Sequence, residues 1–379
     1  MMPSTQDYGT KNKGEWSEPY AAVKILGEQK LYIADKKGEK NLFEWMDVIE
    51  LIRHETEKRK VIYKYNSSNT DVCVYVNDSL FVSVPVDDFL RAAETLSDEI
   101  KRGKGTFQVS KEIADFFTKI ELHSIKAKSV EKNDVFLTIR DPRASITRKH
   151  IGFSIKSEFG KDSTLFNTAP ASAAIYHISN MNDKIMDEIN SLFDTKNRIA
   201  VSSRCNEMIN RGCDFKYKGF EYSKRTSQRT FQDNLETINP RLSIVISRML
   251  YNYYCGCKGK ASVSYITDEI IKQDPCNVSR PEIDYPYMIK TFLYAAYSGM
   301  TASTPWNAKN EVNGGFIKVK SSGEVIAFYA LESDVFKDYL YNNCYMDQPS
   351  TSSGHGDFGY VYKKDNDYFF KLNFQIRCP

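Results

Sequence analysis

The period of apolar positions changes several times along the chain. Three short runs, 61–65, 72–76 and 80–84, are rich in β-branched and aromatic residues and are predicted as strands. Helices are predicted next over 86–101 and 110–119, the first opened by Asp87 and Asp88, which suit the positive end of a helix. Strict alternation appears at 135–140 and 151–157, with the DPRA stretch at 141–144 breaking the pattern between them. Helical spacing dominates 182–300, most clearly at 242–254 and 287–297, and strands are predicted again at 315–320, 325–329, 359–363 and 368–377. Near the N-terminus Trp16, Tyr20 and Val23 recur at helical spacing. A helix is therefore expected to begin near 15–17, with Ser17 as its N-cap and Pro19 in its first turn. Together these elements predict an α/β (α+β) fold: a mixed-sheet core, a helical middle segment and a β-rich C-terminal part. No Pro/Gly/Ser linker separates them, so the division is drawn at 1–180 and 181–379, with the second region packed on the first.

Bulk composition narrows the classes. The 379 residues are 41% hydrophobic, enough to bury a core, and the net charge is only +3. Any nucleic-acid site must then come from local clusters and not from a global basic field. No apolar run is long enough to span a bilayer, and the polar N-terminus has no signal-peptide core. A cytoplasmic protein is expected. The eight cysteines contain no C-x-x-C pair and lie far from the five histidines in sequence, so they read as reduced and structural and not as a zinc site. There is no G-x-S-x-G for a serine hydrolase. The stretch 256–262 lacks the glycine spacing of a P-loop and has Ala261 where Ser or Thr is needed.

The alternating pair at 134–157 carries the chemistry. Folded as an antiparallel hairpin with a turn centred near 145, it puts Asp134 opposite Lys156. Val135, Leu137 and Ile139 share one face with Ile151, Phe153 and Ile155. Asp134, Ser154 and Lys156 then converge on the other. An aspartate followed across a hairpin by acid-x-lysine is the constellation of the PD-(D/E)XK nucleases. Phosphodiester hydrolysis needs a hard cation such as Mg²⁺ held by carboxylate oxygen, and a water that a lysine can orient. Asp134 supplies the metal oxygen and Lys156 stands by the water. Asp141, at the far end and of the opposite parity, reads as a turn-former, with a metal role as the lesser alternative. Ser154 occupies the position that usually holds an acid, so a second carboxylate must come from elsewhere. Glu15 and Glu18, spaced i,i+3 on one helix face, are the candidates; helix N-termini also collect acids for dipole reasons alone.

Several stretches occur in a telling order: KGEWSEPY (13–20), GFSIKSEFG (152–160), STLFN (163–167), GGFIKVK (314–320), FGYVYK (358–363) and FKLNFQIR (370–377). With these the chain resembles the HpaII family of type II restriction endonucleases, from about residue 13 to 378. The resemblance implies a PD-(D/E)XK-like, Mg²⁺-dependent enzyme that cuts double-stranded DNA at a short, usually symmetric site, CCGG in the best-known member. It also implies a paired DNA methyltransferase that protects the host, and a homodimer suits a symmetric site. By motif position it places Glu18, Asp134 and Lys156 at the catalytic site. Asn167 follows closely as a metal, phosphate or turn residue. Pro19 departs from the pattern, standing where a bulkier apolar residue is expected.

The last predicted strand offers a reading surface. Leu372, Phe374 and Ile376 form an apolar face, and Lys371, Asn373, Gln375 and Arg377 an acid-free polar one. Arg and Lys pair with guanine and Asn and Gln with adenine in the major groove. Lys318 and Lys320 form a similar one-sided pair suited to phosphates. His355, in 350–356, is a loop tip or a groove-probing residue. A second class of function shares these features: a DNA-binding protein whose nuclease site is degenerate at Ser154.

Overall fold

The computed structural model describes residues 6–125, 133–160, 162–192, 198–256, 261–309, 314–349 and 358–378. His355 and residues 257–260 of the P-loop-like stretch lie outside them. The chain is a mixture of helices and several sheets and divides into two compact units. One is Met1–Ser163 with Glu311–Phe336; the other is Thr164–Asn310 with Lys337–Pro379. The reading from sequence drew a single cut at 180. The difference arises because the strand Gly315–Val319 returns to pair in parallel with Ile146–Ser157, a non-local pairing that composition cannot reveal.

The first unit opens with the helix Lys13–Glu28. It starts earlier than expected, and its cap is Asn12, not Ser17. The Asn12 side chain accepts from the Glu15 N–H at 3.0 Å, and the Asn12 N–H donates to the Glu15 carboxylate at 3.0 Å, a reciprocal capping box. Pro19 consequently lies in the second turn, where its nitrogen cannot make the helical bond to the Glu15 carbonyl. Ser17, fully buried, donates to the Lys13 carbonyl at 2.7 Å and meets the Ser157 hydroxyl at 2.7 Å.

A nine-stranded sheet follows. Its order is Lys30–Ala34, Val325–Tyr329, Gly315–Val319, Ile146–Ser157, Val135–Asp141, Lys40–Thr56, Arg59–Tyr65, Asp71–Val76 and Ser79–Pro85. The first of these also pairs with Lys40–Thr56, so six strands are joined in a closed ring of pairings. The strands Lys30–Ala34 and Lys40–Thr56 were not expected. The latter runs through Glu44, Asp47, Glu50 and Arg53, whose charges blur its alternation. The helices Lys13–Glu28, Val86–Arg102 and Lys111–Lys119 bury Trp16, Tyr20, Phe89, Leu96 and Phe117 together with Leu137, Phe153, Ile155 and Ile317. Each such side chain contributes about 1.5–3 kcal/mol by leaving water. That core fixes which sheet face is inner and leaves Ser154 and Lys156 on the opposite one.

The second unit holds a four-stranded antiparallel sheet, ordered Phe215–Phe220, Ala174–Ile178, Asp367–Leu372 and Val361–Lys364. A three-stranded sheet, Ser163–Phe166, Gln375–Cys378 and Tyr345–Asp347, lies beside helices that include Leu242–Tyr251, Val263–Gln273 and Pro281–Tyr297. The strand predicted at 368–377 is thus two strands in two sheets, broken at Asn373 and Phe374. Phe374 leaves the ladder to stack on Phe166 at 5.2 Å between ring centroids. The cysteine reading is also corrected: Cys344 and Cys378 form a disulfide, because the pairing of Tyr345 with Arg377 sets their flanking cysteines side by side. Among the described residues no helix is long and apolar enough to cross a membrane.

Candidate active site

The central hairpin positions the candidate catalytic groups. Val135 pairs with Phe153 and Phe136 with Gly152, so one step further Asp134 faces Ser154. The sequence placed Asp134 opposite Lys156. The turn is tighter than assumed, with Asp141 paired to Ile146, and a bulge lies between Leu137 and Ile139. The slip is two residues, which preserves the face. Asp134, Ser154 and Lys156 do share a face, but it is Ser154 that meets Asp134.

Asp134 is half-buried and held at three points. Its N–H donates to the Phe153 carbonyl at 2.9 Å. Its Oδ2 accepts from the Ser154 hydroxyl at 3.0 Å and from the Ile155 N–H at 2.7 Å. Hydrogen bonds to a carboxylate are roughly twice as strong as neutral ones, so the carboxylate direction is fixed. Ser154 is buried and Lys156 is exposed two residues on. Asp141 is the turn-former it was read to be: its carboxylate accepts from the Arg143 N–H, Nε and Nη2 at 3.0–3.1 Å. The Arg143 hydrogen bonds hold the Asp141 carboxyl below its ordinary range.

The lysines of the next strand are not the open phosphate pair expected. Lys318, in register beside Lys156, is buried against Glu158 at 2.5 Å. Burial alone would raise the Glu158 carboxyl. The hydrogen bonds from Lys318 and from the Ser321 N–H, with the charges of Lys318 and Lys320, hold it below the usual value instead. Lys320 pairs with Glu39 and, at 3.9 Å, with Glu324. Glu158 went unread because its partner is more than 150 residues away in sequence; its place in the quoted GFSIKSEFG was the available signal.

The two helix acids part company. Glu15 accepts the capping-box bond from the Asn12 N–H through Oε2. Glu18 is half-buried, one residue from the contact between Ser17 and Ser157 and therefore beside the strand that carries Ser154 and Lys156. Among the described residues no group of three or more His, Cys, Asp or Glu could hold a metal ion. Mg²⁺ keeps several waters and takes one or two carboxylates; Asp134 offers one on the face of Ser154 and Lys156, while Glu18 belongs to the helix packed on the core face, near the strand end marked by Ser17 and Ser157.

In the second unit the supposed reading face is engaged internally. Lys371 pairs with Glu221 at 2.5 Å, and Arg377 donates to Asp347 at 2.7 Å. Gln375 donates to Asp347 at 2.8 Å and to the Gln348 carbonyl at 2.9 Å. Asn373 is fully buried, accepting from Ser172 and donating to the Ala169 carbonyl, both at 2.9 Å. The stretch 371–377 itself has no acid, but its neighbours supply them. Asn167 is exposed just after the strand Ser163–Phe166.

The family model described as HpaII restriction endonuclease matches residues 12–378. The chain is 32% identical over 374 residues to the type II restriction enzyme HpaII of Haemophilus parainfluenzae, covering 98% of this chain and 99% of that one. No solved structure matches. A match of that extent, over a chain whose central hairpin gathers an aspartate, a serine and a lysine on one face, leaves one conclusion: the chain belongs to the HpaII restriction endonuclease family and is a site-specific deoxyribonuclease.

Proposed function

We infer that this chain hydrolyses double-stranded DNA with Mg²⁺ through a PD-(D/E)XK-like site on the outer face of the central hairpin, leaving 5′-phosphates. The observation that carries the reading is the shared face of Asp134, Ser154 and Lys156, with Asp134 tied by the Ser154 hydroxyl and the Ile155 N–H. Asp134 would hold the ion, which when bound neutralises charge building on the phosphoryl oxygens; Glu18, the proposed second carboxylate, would have to reach it round the strand end beside Ser157. Lys156 donates a hydrogen bond to the attacking water and keeps it in line with the scissile bond. The water oxygen bonds to phosphorus as the bond to O3′ breaks; the water gives up its proton to solvent, and the departing O3′ takes one. Ser154 orients Asp134 in place of a second acid.

CCGG is the first recognition sequence to test. The reading carries with it a cytoplasmic location, a methyltransferase that marks the same sequence, and two copies acting on a symmetric duplex. Of the residues expected at DNA, exposed Asn167 could reach it as it stands. Lys318, Lys320, Lys371, Gln375 and Arg377 would first have to leave their acidic partners, and Asn373 its buried carbonyl.

The experiment is digestion of defined duplex DNA with Mg²⁺ or with chelator, using the parent protein, Asp134→Ala and Lys156→Ala, followed by sequencing of the ends. Discrete metal-dependent cuts lost in both variants are expected. Specific binding without cuts by the parent would instead favour the DNA-binding protein with a degenerate site, a rival that the serine at 154 keeps in play.

A further inference from the structure

We propose that Asn133 is a positioning residue for Asp134, and that residue 152 is glycine to make room for it; the proposal rests on the reading of Asp134 as a metal-holding carboxylate. Gly152 sits on the central strand opposite Phe136. It is not among the glycines with left-handed φ, so its backbone would accept a side chain. Space refuses one. A Cβ at 152 would stand 2.3 Å from Asn133 Cγ, 2.4 Å from its Oδ1 and 2.5 Å from its Nδ2. Three nearly equal distances mean that the amide plane lies face-on against the strand. Real Cβ atoms essentially never approach closer than 3.0 Å.

Neither side of this contact can yield cheaply. Asn133 is 2% exposed. The Gly152 carbonyl accepts from the Gly314 N–H at 2.9 Å, which ties the strand from its other edge. Asn133 is covalently the residue before Asp134, and Asp134 precedes the regular strand Val135–Asp141. The Asp134 N–H bond to the Phe153 carbonyl and the two hydrogen bonds on Oδ2 hold the residue at its own atoms. The amide wedged on Gly152 adds a fourth hold, from the residue immediately upstream.

The test is a double-variant cycle on the full chain: Gly152→Ala, Asn133→Gly and the pair. Each is assayed for cutting of a duplex that the parent cuts, for duplex binding without Mg²⁺, and for thermal melting. Gly152→Ala is expected to cut about 100-fold more slowly, the scale of a misplacement near 1 Å, while binding duplex as the parent does. Removing the Asn133 amide from that variant is expected to recover about tenfold of the loss and to raise its melting temperature. Parental cutting by Gly152→Ala, or a pair no faster than Gly152→Ala alone, overturns the proposal. If Gly152→Ala does not fold, Asn133→Gly decides. Its Mg²⁺ requirement must rise with KM for DNA unchanged, and an unaltered Mg²⁺ requirement overturns the proposal. Asp134→Ala separates the two readings. Cutting that survives it removes Asp134 from the reaction and this proposal with it. Cutting lost there but insensitive to Gly152→Ala removes only the positioning role.

Discussion

The Ser154 hydroxyl donates to Asp134 Oδ2 at 3.0 Å across the central hairpin, at the position where the PD-(D/E)XK pattern has an acid. A serine in that place gives up a charge and gains a donor. Ser154→Ala removes one of the two hydrogen bonds on Oδ2 and leaves the Ile155 N–H. Loss of a hydrogen bond to a charged group, about 1.5–3 kcal/mol, is expected to slow cutting by roughly tenfold or more. Single-turnover cleavage measures it, and an unchanged rate would refute the orienting role. Ser154→Asp would set a second carboxylate against the first, and is expected to cut only at raised Mg²⁺.

Lys156→Met keeps the bulk of the stem and deletes the ammonium. Because the residue is exposed, folding should be unchanged. The expected outcome is a fall in kcat of about 100-fold or more with duplex affinity little altered. A variant that loses affinity while keeping kcat would make Lys156 a phosphate contact instead.

Glu158 and Lys318 form a nearly buried ion pair, their side chains 20% and 9% exposed. Glu158→Gln leaves the lysine charge without its counterion and is expected to cost about 3 kcal/mol, read by denaturant unfolding. The pH dependence has a definite sign. The Glu158 carboxyl is held below its ordinary 4.5 in the folded chain, so its stabilisation is complete above that value and is lost as pH falls through the lowered one. The parent should therefore lose stability more steeply in acid than Glu158→Gln does. Parallel acid profiles would show that the pair contributes nothing.

Cys344 and Cys378 are separated by 34 residues. Closing a loop of that length is worth about 3–4 kcal/mol by the chain-entropy account. Reductant, or Cys344→Ser, is expected to lower the melting temperature of the second unit. In a reducing compartment the protein would work without that support, so cutting under reductant should persist.

What was legible in the sequence was what period and parity control. The face shared by Asp134, Ser154 and Lys156 was readable because a slip of two residues preserves it. The partner of Asp134 was not, because a short turn and a bulge are set by backbone detail. Asn12 and Glu15 carry a capping signature in plain view; weight given to Pro19 moved the helix start to Ser17 instead. The internal partners of Lys371, Gln375 and Arg377 were not legible, because Glu221 and Asp347 come from distant segments that one strand's alternation cannot report.

The parallel pairing of Gly315–Val319 with the Lys156 strand also has a consequence in time. A ribosome finishes the helix, the hairpin and both proposed catalytic residues long before it makes residue 315. Until then the strand bearing Lys156 has a bare edge, and the closed ring of pairings lacks two members. A nascent chain ending at Asn310 is expected to be protease-sensitive in its first half and unable to cut. For an enzyme that cuts DNA, this links competence to synthesis through Tyr329 at least, so that a copy broken off earlier is not expected to act on the genome that encodes it.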